Sequence, residues 1–488
     1  MKNRTLCLIL AVLMLALASS CAESSVQNEE TSDAAAESSS ALQTAESTAE
    51  SEASEYESLL AGVPKKDFEG YAFNILNNES NFAYTIMDAE EINGEGINDA
   101  VYNRNAAVED TLNITVNENM VTYSEVTSEM KTQISAGDST YSCFWNESYL
   151  IAPFASEGSL LNLNKIPAFD FDKPWWNDRV MSDVEIGGKR FFLIGDLHLM
   201  FKESYQMIGF NKNIIDSNAL TDPYELVREG KWTMDTYRQY METAMLDKNG
   251  DGIWGDGDIY GCSATIYSAI TFLVGGDITM CTKDESGIPA ITAFDDHFIA
   301  SYEKMVETLF SNKNHLLLSE NFHTAFKEGY ALFYSEPIGS LKKLRDMDAE
   351  FGIVPVPKLD ENQEEYVSNI SLYAAFCGIP ITADAERTSI VLENLCAQSF
   401  GELRQAYEDD TLNFKYIRDR ESSEMLNLIF STGRYSLLDA LGITQLSSVI
   451  ATNAEAGNTS ISSALKSVDK VMNKSLERTV KKIMETDT

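Results

Sequence analysis

The sequence predicts an α/β protein in which parallel strands alternate with crossover helices. Residues 71–76 (YAFNIL), 113–116 (NITV) and 141–145 (YSCFW) are predicted strands because they are short and rich in apolar residues. A helix is predicted between each pair, the first capped by Asn98 and the second covering about 126–136. The order strand, helix, strand, helix, strand is typical of a parallel sheet with helical crossovers.

Further helices follow in the second half of the chain. Trp232 and Thr233 open the clearest one, in which Thr233 is the predicted N-cap. Its apolar face recurs at the spacing of a helix, through Tyr237, Tyr240, Met241, Ala244 and Met245. The same periodicity predicts helices over 295–311, 320–328, 384–399, 420–431 and 462–485.

The N-terminus predicts export. Lys2 and Arg4 precede an unbroken apolar run of twelve residues from Leu6 to Leu17, and small residues then lead to Cys21. This run is too short to span a bilayer as a permanent helix. It resembles a bacterial lipoprotein signal peptide (residues 1–21), although Leu17 stands four residues before the cysteine rather than the usual three. We expect Cys21 to be lipidated and to anchor the protein on the outer face of the cell membrane. Secretion with cleavage among the small residues is the alternative.

Residues 22–62 are predicted to form a disordered acidic tether. Residues 22–60 consist mostly of Ser, Ala, Glu and Thr, with ten acidic residues and no basic one. Such a composition buries too little apolar surface to offset the entropy lost on ordering. The whole chain carries a net charge of -39, which argues against nucleic acid as a partner.

The five cysteines after Cys21 are widely spaced and include no CxxC pair, so we expect most of them to be buried thiols. A disulfide, such as one between Cys262 and Cys281, stays open.

A possible structural calcium site is the sharpest local motif. The segment 247–258 (DKNGDGIWGDGD) matches an EF-hand-type loop at its first, third, fifth and sixth positions. Its twelfth position holds Asp rather than the longer Glu, and no second helix follows. The predicted Ca²⁺ ligands are Asp247, Asn249, Asp251, the carbonyl of Ile253, and Asp258. The alternative is a turn rich in Gly and Asp that needs no metal.

Several stretches together resemble the extracellular solute-binding proteins of ABC importers, particularly sugar-binding lipoproteins of Gram-positive anaerobes. None of these stretches is a catalytic signature, and together they span most of residues 66–431. They are INDAVYNRNAAVEDTLNITV (97–116), GKRFFLIGDL (188–197), GFNKNIID…DGDIYG (209–261), GYALFYSEP…EEYVS (329–368), GIPITADAERTSIVLENL (378–395) and KYIRDRESSEMLNLIF (415–430).

The resemblance implies a two-lobe periplasmic-binding-protein-like fold of type II. In this fold the lobes are discontinuous in sequence, hinge crossovers join them, and the ligand lies in the cleft between them. We place lobe one at 66–200 and 374–405, lobe two at 206–370 and 410–485, and the crossovers near Leu199–Tyr205 and Asn369–Ala374.

The ligand candidates are aromatic and polar residues near strand ends and crossovers. Ligands bind at the carboxyl ends of parallel strands, and a sugar offers apolar faces to aromatic rings and hydroxyl groups to amides and carboxylates. Each residue taken alone has core or surface packing as its alternative. The candidates are Trp145, Asn146, Tyr149, Glu203, Tyr205, Tyr334, Ser335, Glu336 and Tyr373.

No catalytic residue is predicted. The four histidines are scattered, and neither a GxSxG nucleophile elbow nor a phosphate-binding Walker loop occurs. We therefore expect a monomeric binding protein that delivers a mono- or oligosaccharide to an ABC permease. The rival interpretation is a secreted carbohydrate-active enzyme or a cell-surface adhesin.

Overall fold

The computed structural model describes Ser54 and residues 56–80, 83–255, 257–312, 316–318 (backbone only), 322–408 and 420–486. The signal peptide, Cys21 and the tether through residue 53 lie outside the described residues. The chain divides into Met1–Ala61 and the compact unit Gly62–Thr488, and the account below concerns the second unit. In the described ranges, no helix combines the length and apolar character needed to cross a bilayer.

The strands and helices of the compact unit alternate along most of the chain. The strands are β1 (Tyr71–Asn78), β2 (Ile114–Val121), β3 (Cys143–Glu147), β4 (Gln206–Asn211), β5 (Tyr260–Ala264), β6 (Cys281–Lys283), β7 (Pro289–Ile291), β8 (Leu316–Leu318), β9 (Ala331–Pro337), β10 (Phe351–Val354), β11 (Ser368–Asn369), β12 (Ala375–Gly378) and β13 (Gly433–Arg434). The α-helices are α1 (Gly96–Leu112), α2 (Tyr123–Ala136), α3 (Ser148–Ser156), α4 (Asp178–Val184), α5 (Leu199–Glu203), α6 (Lys212–Ser217), α7 (Pro223–Arg228), α8 (Met234–Ala244), α9 (Ser268–Gly275), α10 (Asp296–Leu309), α11 (Phe322–Lys327), α12 (Ala385–Gln398), α13 (Arg404–Ala406), α14 (Arg420–Ser431), α15 (Leu437–Ala440), α16 (Gln445–Glu455) and α17 (Ser462–Glu485).

Two separate sheets organise these elements. The first has the strand order β12-β3-β1-β2, in which β1 pairs in parallel with β2 and β3 while β12 is antiparallel to β3. The second has the order β10-β4-β9-β5-β8, in which β5 is parallel to β9 and β8 while β4 is antiparallel to β9 and β10. The late strand β12 completes the early sheet, so the first sheet is built from segments far apart in the sequence.

The two predicted crossover segments lie side by side. Tyr205 and Ile370 form an isolated antiparallel β-bridge. The amide of Ser371 donates to the carbonyl of Ser204 at 2.8 Å, which extends the pairing by one more hydrogen bond. The chain thus passes between the sheets along paired extended segments. The residue bounds of the two lobes remain a prediction.

The helices predicted from periodicity are present within one or two residues of their expected ends. The predicted cap of α8 is confirmed, since the Thr233 side chain accepts from the amide of Thr236. Helix α2 begins with a capping box, in which Thr122 and Glu125 each satisfy the other's backbone amide, and it ends at Gly137 with a φ of 68°.

The predicted start of α1 is wrong by three residues. The helix begins at Gly96, and Glu95 precedes it without a side-chain capping bond. The Asn98 amide instead donates to the carbonyl of Glu91, while the Asp99 carboxylate accepts from the backbone amides of Asn93 and Gly94. The Asn98 side chain, which the sequence pattern predicts as the cap, therefore bonds to the loop before the helix instead.

Buried thiols account for most of the described cysteines. Cys143, Cys262, Cys377 and Cys396 are buried, Cys281 is half-buried, and all five are free. Cys262 lies on β5 and Cys281 on the separate β6–β7 hairpin, and the suggested disulfide between them is absent.

Candidate ligand-binding site

The carboxyl ends of the parallel strands determine where a ligand can bind. In the second sheet, β5 and β9 run in parallel and end near Ala264 and Pro337. A cavity of about 420 Å³ opens at this edge, within the size range of small-molecule sites. We call it the cleft cavity. Its lining includes Tyr267, His323, Glu336, Lys343, Asn369 and Tyr373.

The cleft cavity combines residues that follow strands of the second sheet with residues of the second crossover segment. Tyr267 follows β5, Glu336 lies at the end of β9, and Asn369 and Tyr373 belong to the second crossover segment. Because Asn369–Tyr373 includes the residue that pairs with Tyr205, the floor of this cavity contains the crossover itself. A ligand bound here would contact the segment that connects the two sheets.

Tyrosine rings supply the open aromatic surface of the site. Tyr267 and Tyr373 line the cleft cavity and are 50% and 47% exposed. Burial raises the pKa of Tyr373, and the neighbouring Tyr267 and Glu147 raise it further. Burial also raises the pKa of Tyr149, with added effects from Glu147 and Tyr373. Tyr149 and Glu147 from the end of β3 are thus electrostatic neighbours of Tyr373.

A polar cluster lies at the β9 side of the cleft cavity. Burial raises the pKa of Glu336 to about 7, although its hydrogen bond from Ser340 and the charge of Lys343 favour the ionised form. Lys343 Nζ lies 2.7 Å from His323 Nε2, and His323 Nδ1 is hydrogen-bonded to the hydroxyl of Tyr334. Burial and Lys343 lower the pKa of His323 to about 4, so the ring is neutral at pH 7.

The contacts of His323 determine its tautomer. Since a lysine ammonium can only donate, Nε2 of His323 accepts from Lys343 and Nδ1 carries the proton. The Nδ1–H then donates to the Tyr334 oxygen. The cluster thereby presents to the cavity one cation, one carboxyl whose pKa is raised to about 7 by burial, and the hydroxyl of Ser340. These groups can donate to and accept from a polyhydroxylated ligand.

The structure brings some of the predicted ligand residues together. Glu336 and Tyr373 line the cleft cavity, and Tyr149 is an electrostatic neighbour of Tyr373. The Tyr149 hydroxyl donates to Glu147, which holds the ring at the end of β3.

The other predicted ligand residues are buried and do not line this cavity. Trp145 is 3% exposed and stacks on His198, and Asn146 is 1% exposed and donates to the carbonyl of Tyr123. Glu203 and Tyr205 are each 2% exposed. Tyr334 and Ser335 are buried as well: Tyr334 contacts the cavity indirectly, through His323, and the Ser335 hydroxyl accepts from Ser268.

Sequence reasoning missed several residues of the site. Tyr267 carried a usable signal, because it follows a strand at the same carboxyl edge as Glu336. Asn369 stood inside a predicted crossover and could have been included. His323, Lys343 and Asp439 carried no such signal, since each comes from a helical segment that reaches the cavity through tertiary packing.

The described residues of the predicted calcium loop, 247–255 and 257–258, form a turn held by hydrogen bonds from backbone amides to carboxylates. Asp247 accepts from the amides of Gly250 and Gly252, each at 2.7 Å, and Asp251 accepts from the amide of Ile253 at 2.7 Å. Asp258 is buried and accepts from the amides of Lys248 and Gly255. Across the described ranges, no group of three or more His, Cys, Asp or Glu side chains is placed to hold a metal ion. Calcium binding here stays a prediction.

The comparisons with known proteins establish the fold. No protein-family model and no curated protein matches this sequence. The chain is similar in structure to the cyclic α-maltosyl-1,6-maltose binding protein from Arthrobacter globiformis, with a TM-score of 0.59 and 13% identity over 84% of this chain and 99% of that one. It is also similar to an ABC substrate-binding protein from Listeria monocytogenes in complex with cycloalternan, with a TM-score of 0.55 and 12% identity over 84% and 99% of the two chains.

A third solved structure has the same architecture. UgpB from Mycobacterium tuberculosis, in complex with glycerophosphocholine, gives a TM-score of 0.52 at 14% identity over 84% of this chain and 99% of that one. The predicted two-lobe periplasmic-binding-protein-like fold of type II is confirmed. The chain therefore shares its fold with the ABC substrate-binding protein from L. monocytogenes and with these other solved structures.

Proposed function

We propose that this protein is a surface-anchored substrate-binding lipoprotein that captures a carbohydrate for an ABC importer. The observation that carries this proposal is the cleft cavity, which lies at the carboxyl edge of β5 and β9 and includes the crossover segment in its lining. In a two-lobe fold this is the position from which a ligand can hold both lobes together.

A carbohydrate fits the chemistry of the cavity. The open rings of Tyr267 and Tyr373 can stack on the apolar faces of a sugar. Glu336, Lys343 and Asn369 offer donors and acceptors for hydroxyl groups. The sugar ligands named for the neighbours from A. globiformis and L. monocytogenes support the same class.

Capture would proceed by closure of the lobes about the crossovers. The two crossover segments pair through the isolated bridge Tyr205–Ile370 and the hydrogen bond between Ser371 and Ser204, and the proposed closure bends the chain at this point while the two sheets move as rigid bodies. A ligand that contacts both sides favours the closed form by the difference between its affinities for the two forms. An ABC permease would then receive the ligand, and the protein would act as a monomer.

Anchoring completes the proposal. A lipid on Cys21 would hold the folded unit to the outer face of the membrane, and the acidic tether would let it reach the permease. The protein would return its ligand chemically unchanged, without enzymatic turnover.

A thermal-shift screen against mono- and oligosaccharides tests the function. A sugar that binds the native state raises the unfolding midpoint by mass action. Titration calorimetry on each hit should give one site per chain, and chromatography should recover the sugar intact after prolonged incubation. Conversion of the sugar over time would support the rival enzyme interpretation, and the absence of any shift across the panel would contradict the carbohydrate assignment.

A further inference from the structure

A second cavity, of about 450 Å³, is bordered by some of the same elements as the cleft cavity but by different residues of them. Helix α4, the β6–β7 hairpin and strand β13 contribute to it, and its charged lining residues are Arg179, Asp183, Asp277, Lys283 and Arg434. We call it the cationic cavity. Its volume is that of a small-molecule site.

Three elements each contribute different residues to the two cavities. Val274 lines the cationic cavity and Thr271, one turn earlier on α9, lines the cleft cavity. Val367, just before β11, lines the cationic cavity, and Asn369 lines the cleft cavity. Leu437 and Asp439 divide in the same way on α15. No residue lines both cavities, so a ligand of the cationic cavity would occupy a site distinct from the sugar cleft.

Cationic donors converge on this cavity and remain largely unused. Lys283 Nζ donates at 2.5 Å to the carbonyl of Ser182, which leaves two of its three N–H donors. Arg434 Nη1 pairs with Asp183 at 2.7 Å, while its buried Nε has no hydrogen-bond partner among the residues that the structure describes. Arg179 makes longer contacts, at 3.4 Å to the carbonyl of Ser431 and 3.9 Å to Glu365.

The charge balance of the lining is opposite to that of the chain. Acidic residues outnumber basic ones by 76 to 37 in the whole sequence, but three cations face two carboxylates around this cavity. Asp183 is committed to Arg434 and to the amide of Tyr435, at 3.1 Å. The remaining donors of the three cations are therefore available to an anion, which would form charge-assisted hydrogen bonds with them.

Much of the remaining wall is apolar. Val274, Ile278, Met280, Val367 and Leu437 line the cavity together with the hydroxyl-bearing Ser182, Thr279, Thr282 and Ser436. Such a surface would not by itself select inorganic phosphate or another fully hydrated ion. It suits a ligand that carries one anionic group on an apolar body.

We propose that the cationic cavity binds a small amphipathic organic anion, with its carboxylate or phosphate on Lys283, Arg434 and Arg179 and its apolar part against Val274, Ile278 and Met280. This site is separate from the sugar cleft, and the inference does not depend on the proposed function of that cleft.

Titration calorimetry at low ionic strength tests the site, with phenyl phosphate as the probe. Inorganic phosphate reports the charge alone, and phenol reports the apolar surface alone. We expect phenyl phosphate to bind once per chain and at least tenfold more tightly than either reference, and to weaken as salt is added. The substitution Lys283→Met should reduce its affinity at least tenfold, whereas Lys481→Met, at a 75% exposed side chain on α17, should not.

A second variant keeps the test valid if Lys283→Met fails to fold. Thr279 lines the cationic cavity and is exposed, so Thr279→Trp should fill the cavity without disturbing the core and abolish phenyl phosphate binding. Tyr373→Ala should leave that binding unchanged. Binding no tighter than that of the two references, or insensitive to both cavity variants, would overturn the proposal. Loss of binding in Tyr373→Ala would place the anion in the cleft cavity, which also refutes the second site but leaves the sugar cleft untouched.

Discussion

The indole of Trp145 stacks on the imidazole of His198, with ring centroids 5.8 Å apart and planes inclined by 11°. Both residues are 3% exposed. Burial lowers the pKa of His198 to about 3, so the stacked ring is neutral, and its Nε2 pairs with Asn77 Oδ1 at 3.2 Å. Trp145 is thus part of the core of the first sheet in this structure.

Truncation of Trp145 should therefore reduce stability. We expect Trp145→Ala to lower the free energy of unfolding by roughly 3–5 kcal/mol, because a large buried ring leaves a cavity that the surroundings fill incompletely. Chemical denaturation of the variant and the wild type measures this difference. An unchanged unfolding free energy, together with weaker sugar binding, would return Trp145 to the ligand site.

Tyr373 should behave in the opposite way. Its ring is 47% exposed on the crossover segment, so Tyr373→Ala should leave the unliganded unfolding midpoint nearly unchanged. Once a sugar ligand is found, calorimetry should show at least a tenfold loss of affinity, which corresponds to about 1.4 kcal/mol. Tyr373→Phe is the matched control, because it keeps the stacking face. Equal affinity in the alanine variant and the wild type would remove this ring from the site.

Buried Glu203 should make stability depend on pH. Burial raises its pKa to about 7, although the amide of Tyr84 and the charge of Lys342 oppose the rise. A carboxyl whose folded pKa lies above its unfolded value stabilises the fold fully below the unfolded pKa, near 4.5, and this contribution is lost as the pH rises through about 7. Glu203→Gln should remove that loss. Between pH 5 and pH 8, the free energy of unfolding of the variant should therefore rise by roughly 1–3 kcal/mol relative to that of the wild type.

Chemical denaturation of both proteins at several pH values measures how the difference between their unfolding free energies changes with pH. The exposed Glu477 on α17 offers the control, and Glu477→Gln should follow the wild type throughout. Glu336 and Glu393 have pKa values raised to about 7 by burial as well, so the wild-type profile alone is not diagnostic. A constant difference between Glu203→Gln and the wild type over this pH range would contradict the prediction.

We propose that the 247–258 loop binds calcium. Millimolar Ca²⁺ should raise the unfolding midpoint and Mg²⁺ should not, because the site would offer an irregular set of oxygen ligands. Asp251→Asn keeps an acceptor for the amide of Ile253 but removes the charge, so it should weaken the response to Ca²⁺ without unfolding the loop. Equal midpoints with Ca²⁺ and with a chelator would favour a turn that needs no metal.

Lipidation of Cys21 can be tested in cells. A clickable fatty-acid probe should label the wild type, and Cys21→Ala should lose the label and enter the culture medium. Cys281→Ala is the matched control and should keep the label. An unlabelled wild-type protein would support plain secretion with cleavage among the small residues.

The sequence predicted the elements whose signals are local. The helices α12, α14 and α17 have periodic apolar faces, and α8 also has its own capping residue, so short-range propensity and spacing were sufficient to find them. The start of α1 could not be found in this way. The hydrogen bond from Asn98 to Glu91 depends on the conformation of the preceding loop, which no pattern within the helix encodes.

Part of the cleft cavity was also predictable. Glu336 and Tyr373 follow from the rule that ligands bind where parallel strands and crossovers end, and Tyr267 obeys the same rule. Trp145 satisfied that rule and is nevertheless buried. Because β3 is covered on both faces, alternation along the strand cannot distinguish a ring that faces a cleft from a ring that faces the core.

The sequence by itself determined the α/β class, the order of the first three strands and their two crossover helices, several later helices, and an acidic, apolar-poor segment before the folded unit. Tertiary structure alone decided that Lys343 meets His323 beside Glu336, and that Arg179, Lys283 and Arg434 surround one cavity in an acidic protein. The physical reason is range. Helix caps and apolar periodicity act over a few residues, whereas a cavity is enclosed by side chains up to 258 positions apart whose meeting depends on how whole helices and sheets pack.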